Sequence, residues 1–161
     1  MKWKINICIV GLMLFSSMAR SQSPWFRPAI NYEVGTNPLS IYGGDFDGDG
    51  NNDLATANHG SDNVSILINN GNGTFHTAAN YSVGSGPTSV FASDLDSDGD
   101  QDLAVANDSS SNISILFNNG DGTFQAAENY ELASFLNSIF AADLNSDGSP
   151  DLAVTTTHGI S

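Results

Sequence analysis

Short runs along this chain place apolar side chains at every second residue, and none shows helical spacing. Val64, Ile66 and Ile68 form one such run, and Ile113, Ile115 and Phe117 form another. That period of two predicts strands with one face buried. Ser89 to Ala92, Leu103 to Ala106 and Asn112 to Phe117, each bounded by glycine, asparagine or aspartate, also read as strands. The turns Gly71–Gly73 and Gly120–Gly122 supply positive φ for a tight hairpin, which predicts a fourth strand around Phe75 or Phe124.

The same pattern returns in register. Residues 31–79 align with 80–128 without a gap, and 129–161 begin a third copy. Matched positions include Asn31, Asn80 and Asn129; Tyr32, Tyr81 and Tyr130; Pro38 and Pro87; and Asn58 and Asn107. The tyrosines, recurring at one repeat position, are expected to pack between units before stacking on a ligand. Four short strands in a unit of 49 residues match the size of a propeller blade. The predicted fold class is therefore all-β, built of four-stranded antiparallel β-propeller blades. Two full copies and part of a third fall short of the four to eight blades that a propeller needs, so an incomplete propeller, a fragment of a longer reading frame, is expected. Residues 22–30, with Trp25 and Phe26 opposite Thr74 and Phe75, are expected to supply one strand of a split blade.

Each copy carries an acidic loop, beginning at Asp45, Asp94 and Asp143. Oxygen side chains stand at loop positions 1, 3, 5 and 9, and a glycine at position 6 turns the chain back. These are hard ligands around one point, as Ca²⁺ prefers, and a cation explains why mutually repelling carboxylates sit together. Of the 18 acids in the chain, 12 lie in these loops, a clustering that a diffuse acidic coat does not predict. An EF-hand shares the opening spacing but needs a bidentate glutamate at position 12, where this chain has Thr56, Val105 and Val154. Metal-free Asx-turns are the plainer alternative, since aspartate and glycine favour turns, but they leave the convergence unexplained.

The acidic loops, the Asn69–Phe75 and Asn118–Phe124 hairpins and the strands before the loops together resemble the FG-GAP repeat in its bacterial, VCBS-like form, related to the propeller of integrin alpha subunits. The resemblance covers nearly all of the chain after the leader. It implies up to three Ca²⁺ ions, one in each loop joining the first two strands of a blade. The implied ligands are Asp45, Asp47, Asp49 and Asp53; Asp94, Asp96, Asp98 and Asp102; and Asp143, Asn145, Asp147 and Asp151, with backbone carbonyls of Asn51, Asp100 and Ser149 at position 7. The third copy departs from the pattern at Asn145, at Pro150 and at Leu136, where the others have Pro38 and Pro87.

Residues 1–21 read as a secretory signal peptide, with Lys2 and Lys4, an apolar run from Ile5 to Phe15, and small residues leading to cleavage after Ala19 or Ser21. The run is short for a membrane span; a retained N-terminal anchor is the alternative. Cleavage would remove Cys8, the only cysteine, so bound cations would take over the stapling role of disulfides. The whole chain has a formal charge of −14, and after cleavage past Ser21 Arg27 is the only base left. Nucleic acid is thereby excluded as a partner.

No catalytic residues are expected. His59, His76 and His158 share no repeat position or metal-binding spacing, and no nucleophile elbow or phosphate loop occurs. Acids committed to calcium are poor glycosidase pairs. Sequons stand at Asn63, Asn72, Asn80, Asn107 and Asn112. The expected function is a secreted or cell-surface calcium-binding module for adhesion to a protein or glycan, able to self-associate through incomplete blades. A non-catalytic segment of a secreted, for instance polysaccharide-degrading, enzyme and a structural spacer of a surface protein are the alternatives.

Overall fold

The computed structural model describes residues 4–7, 29–132 and 134–157, and their regular structure is all strand. The strands are β1 (Lys4–Ile7), β2 (Ile30–Glu33), β3 (Pro38–Gly44), β4 (Asp53–Asn58), β5 (Asn63–Leu67), β6 (Ala79–Ser82), β7 (Pro87–Ser93), β8 (Asp102–Asn107), β9 (Asn112–Leu116), β10 (Glu128–Glu131), β11 (Phe135–Ala142) and β12 (Asp151–Thr157). β3 to β6 form one antiparallel four-stranded meander and β7 to β10 a second, while β11 and β12 pair as a third sheet. Each full sheet is a blade-like unit, and the repeat in sequence is a repeat in register: Val64 lies opposite Tyr81 as Ile113 lies opposite Tyr130.

The fourth strand lies later in each unit than the hairpin pattern predicts. Phe75 and Phe124 make only single bridges, to Asn69 and Asn118. The hairpin satisfies itself locally instead: Asn69 Oδ1 accepts the Gly71 N–H (3.0 Å) and Asn72 Oδ1 the Thr74 N–H (2.9 Å). Such side-chain turns compete with a ladder, so the pairing strand comes after them, at β6 and β10. β2 is the matching outer strand before the first full sheet. Beside it, β1 pairs Ile5 with Tyr32 and Asn6 with Asn31, taking the place that β5 takes beside β6. The expected strand contribution of residues 22–30 lies almost wholly outside the described residues.

The alternating pattern predicts one buried face, but the central strands are buried on both. All six residues of β8 and all five of β9 are buried. Leu103, Val105 and Leu116 join Phe46, Ala55, Ala57, Val64 and Ile66 in a core between the first and second sheets. Ala104, Ala106, Ile113 and Ile115 join Leu136 and Ile139 in a second core against the third sheet. Stacking of sheet on sheet puts apolar demand on both faces, and the small alanines admit the neighbour.

First strands neighbour one another from unit to unit. Ser40 Oγ in β3 accepts the Val90 N–H of β7, and Ser89 Oγ in β7 accepts the Ile139 N–H of β11, both at 3.3 Å. Tyr42, Phe91 and Phe140, one repeat apart, run as an aromatic ladder with centroids 4.7 and 4.9 Å apart. Two of the three recurrent tyrosines join units, as their periodicity predicts, whereas Tyr130 is exposed and donates to Glu128 Oε2 on its own strand (2.8 Å). Tyr32 meets Phe75 edge to face and accepts its backbone N–H through the phenol oxygen, and Tyr81 does the same for Phe124.

Candidate metal centre

Each acidic loop joins the first two strands of its sheet, and its shape follows from aspartate and glycine chemistry. Position-6 glycines Gly50, Gly99 and Gly148 have φ of 84°, 100° and 91°, left-handed values that favour glycine. Position 4 is left-handed as well, in Gly48 but also in Ser97 and Ser146. The glycine at Gly48 is the only sign of this in the sequence.

Loop N–H groups turn inward onto the carboxylates. In the first loop, Asp45 Oδ2 accepts the Gly50 N–H at 2.8 Å, Asp47 Oδ1 the Asp49 N–H at 3.2 Å and Asp49 Oδ1 the Asn51 N–H at 2.8 Å. The second loop repeats this, with Asp94 holding the N–H groups of Asp98 and Gly99, and Asp98 that of Asp100. In the third, Asp143 holds those of Ser146, Asp147 and Gly148, and Asp147 that of Ser149. Asn51, Asp100 and Ser149 thus each brace the position-5 carboxylate through their backbone N–H.

Position 9 does a second task that the spacing does not reveal. Asp53 is fully buried, accepting the Phe46 N–H on one oxygen (2.9 Å) and the Asn69 N–H on the other (2.7 Å). Asp102 does the same with Leu95 and Asn118, both at 2.8 Å. This aspartate therefore ties the acidic loop to its own sheet's hairpin. In the third loop Asp151 is only half-buried; it accepts the Leu144 N–H at 2.9 Å and, weakly, the Asn145 side-chain amide at 3.4 Å. Burial pushes the carboxyls of Asp53 and Asp102 above the ordinary value; their N–H donors oppose the rise, and the neighbouring acids add to it. The exposed carboxyls of Asp49 and Asp143 are lowered, the first chiefly by the Asn51 side chain and the second by the Gly148 N–H.

The geometry brings Asp45, Asp47 and Asp49 together in the first loop and Asp94, Asp96 and Asp102 in the second, each group offering oxygens within 4.8 Å of one another. These clusters can hold a metal ion. Asp53 and Asp98 stand in the same loops outside the tight groups. Among the described residues the third loop, with Asn145 at position 3, forms no such group: Asp143 and Asp147 hold the turn's N–H groups, and Asp151 holds Leu144 and Asn145. One atom bears directly on the fit: Asp45 Oδ1 is buried and has no hydrogen-bond donor. A buried carboxylate oxygen without a donor is costly unless a positive partner faces it.

The family model for the FG-GAP-like repeat matches residues 45–105 and again 94–154, together more than half of the chain. The chain belongs to the FG-GAP-like repeat family. Each match runs from one acidic loop through the hairpin to the second strand of the next unit, so the FG-GAP-like unit straddles the seam between sheets. No curated protein matches the chain.

Each of the two full FG-GAP-like sheets also holds a polar knot that the sequence signalled only as matched asparagines. Asn58 donates its side-chain amide to Asn63 Oδ1 (2.9 Å) and Ser65 Oγ (2.8 Å), and Ser65 Oγ donates to Asn80 Oδ1 (2.6 Å). Asn107, Asn112, Ser114 and Asn129 repeat the arrangement. Four of the sequons fall within these knots, Asn63, Asn80, Asn107 and Asn112, and the last two are buried. His59 and His76 stand apart from the loops, and His158 lies outside the described residues.

Proposed function

We propose that this FG-GAP-like chain is a secreted, calcium-binding, non-catalytic module that presents a surface to a protein or glycan partner. The observation that carries the calcium reading is the donor-free, buried Asp45 Oδ1 in a loop whose N–H groups are already committed to other oxygens. A cation would face that oxygen; Asp45, Asp47 and Asp49 would hold it in the first loop, and Asp94, Asp96 and Asp102 in the second. The third loop would hold it through Asp143, Asn145, Asp147 and Asp151. An all-oxygen donor set suits Ca²⁺. The ion would neutralise like charges that otherwise strain the fold. Export is supported by the leader-like residues 1–21; no helix of the described residues is long and apolar enough to cross a membrane. Binding to a partner rests on the repeat family and the acidic surface, since fold alone names no ligand.

With a dissociation constant near about 10⁻⁴ M and about 1 mM free ion, each occupied site adds on the order of 1.5 kcal/mol by mass action. Calcium should raise the thermal midpoint and chelation should lower it. In calorimetric titration Asp96→Ala should abolish the second site, whereas Asp108→Ala, which removes the same charge outside the loops, should leave it intact. Equal losses in the two variants would reduce the effect to general electrostatics and sink the coordination reading.

A further inference from the structure

The first acidic loop does not belong to one sheet alone. Phe46, at loop position 2, is 1% exposed and meets Phe124 of the second sheet edge to face at 5.7 Å. Its carbonyl accepts the Asn118 side-chain amide and the Gly122 N–H, both at 2.9 Å. A Cβ on Gly122 would lie 3.2 Å from the Asp47 Cβ, so the second sheet's hairpin is seated directly on loop position 3. Gln101, from the second acidic loop, packs its side-chain oxygen closely on Gly44, where a Cβ would push it aside.

Two buried oxygens at this seam have no donor: Gln101 Oε1, against Gly44, and Asp45 Oδ1, on the very next residue. The matched residues Asn52 and Pro150 lack the extra reach of Gln101. Buried acceptors without donors are rare, and each needs a positive or donating partner. One cation could serve both oxygens.

We propose that the first loop is a two-blade cation site, in which Gln101 of the following blade supplies a neutral oxygen to the ion held by Asp45, Asp47 and Asp49. Asn118 and Gly122 are positioning residues that hold the loop backbone through Phe46. The inference rests on the calcium reading above. Cation binding and the docking of the two blades are then linked, each strengthening the other by the same factor.

The test is calorimetric Ca²⁺ titration of the full chain with the other loops muted by Asp94→Asn, Asp96→Asn, Asp143→Asn and Asp147→Asn, read beside the metal-free thermal midpoint. Gln101→Met keeps the side chain's length and removes its oxygen. It should weaken Ca²⁺ by about tenfold, the lower end for supporting groups around a metal, and should not lower the metal-free midpoint, since it removes a buried acceptor that has no donor. Gln101→Glu keeps the oxygen, adds charge and should bind at least as tightly as the muted parent. Unchanged affinity in Gln101→Met overturns the proposal. So does weakened affinity in Gln101→Glu, the result expected if the amide nitrogen, not the oxygen, faces Asp45. A muted parent that takes up no Ca²⁺ while the unmuted chain does overturns it too, leaving calcium in the other loops. An unmuted chain that takes up none removes the calcium reading itself.

Discussion

At the scale of single residues, the two full units differ instructively at one buried position. Thr56 Oγ1 donates to Asn58 Oδ1 at 3.3 Å, whereas the matched residue Val105 has no hydroxyl and Asn107 Oδ1 is left buried without a donor. Val105→Thr should therefore stabilise the chain by on the order of 1 kcal/mol, the net worth of one hydrogen bond. Urea denaturation checks it, and a loss of stability would mean that the hydroxyl finds no partner in the second unit. The position-9 acids bear on pH. Asp53 and Asp102 have folded-state pKa values above the ordinary 3.8, so the folded chain holds their protons more tightly than the unfolded chain. Metal-free stability should rise as pH falls from neutrality through those raised values. Asp49, Asp121 and Asp143, which are lowered, act oppositely, but only as pH falls below 3.8. Because desolvation is not screened, the rise should persist in high salt. With calcium present the slope should reverse, since protons and cation compete for the same oxygens. Thermal midpoints of chelated, desalted protein would show this, and a fall in metal-free stability over the same range would contradict it.

At the scale of the element, the turns between strands decide more than the strands do. Gly84 leads into β7, and its N–H donates to Ser114 Oγ of β9 at 3.0 Å. A Cβ there would collide with Asn107 and Asn112 of the buried knot and with Ser110, which donates to Asn112 Oδ1. Gly84→Ala should cost roughly 1–3 kcal/mol, the usual penalty for overpacking. It should also loosen amide protection in β8 and β9 together, because one knot ties both. Hydrogen exchange would test the coupling; a loss confined to the turn would show that the knot is not shared. The repeat made Gly35 and Gly84 visible as a matched pair, but nothing local in the sequence indicated that they press on asparagines some 25 residues on.

At the scale of the whole molecule, burial depends on having a neighbour. Leu103 pairs with Leu116 of β9 and is fully buried, whereas Leu152, at the matched position, has no third strand beside it among the described residues and is 36% exposed. Phe135 and Phe140 are each 51% exposed on β11. An open strand edge with apolar side chains invites pairing. The calcium-loaded chain should therefore self-associate with rising concentration in sedimentation. A compact monomer at high concentration would show that this edge is tolerated alone.

The sequence by itself determined the fold class, the repeat and the loops. A 49-residue period with alternating apolar positions admits few arrangements other than stacked sheets, and a glycine turn brings Asp45, Asp47 and Asp49 in the first loop, and Asp94, Asp96 and Asp102 in the second, within reach of one another through local geometry. Tyr32 and Tyr81 were legible as joints between units because only a repeated packing need explains a repeated aromatic. Three things were decided by tertiary structure. Burial of β8 on both faces needs a sheet on each side; the fourth strand moved to β6 and β10 because the hairpin consumed its own hydrogen bonds; and Gln101 came to Gly44 from the next unit. Each depends on contacts between residues far apart in the chain, and a periodic sequence records which positions are equivalent but not which neighbour each one meets.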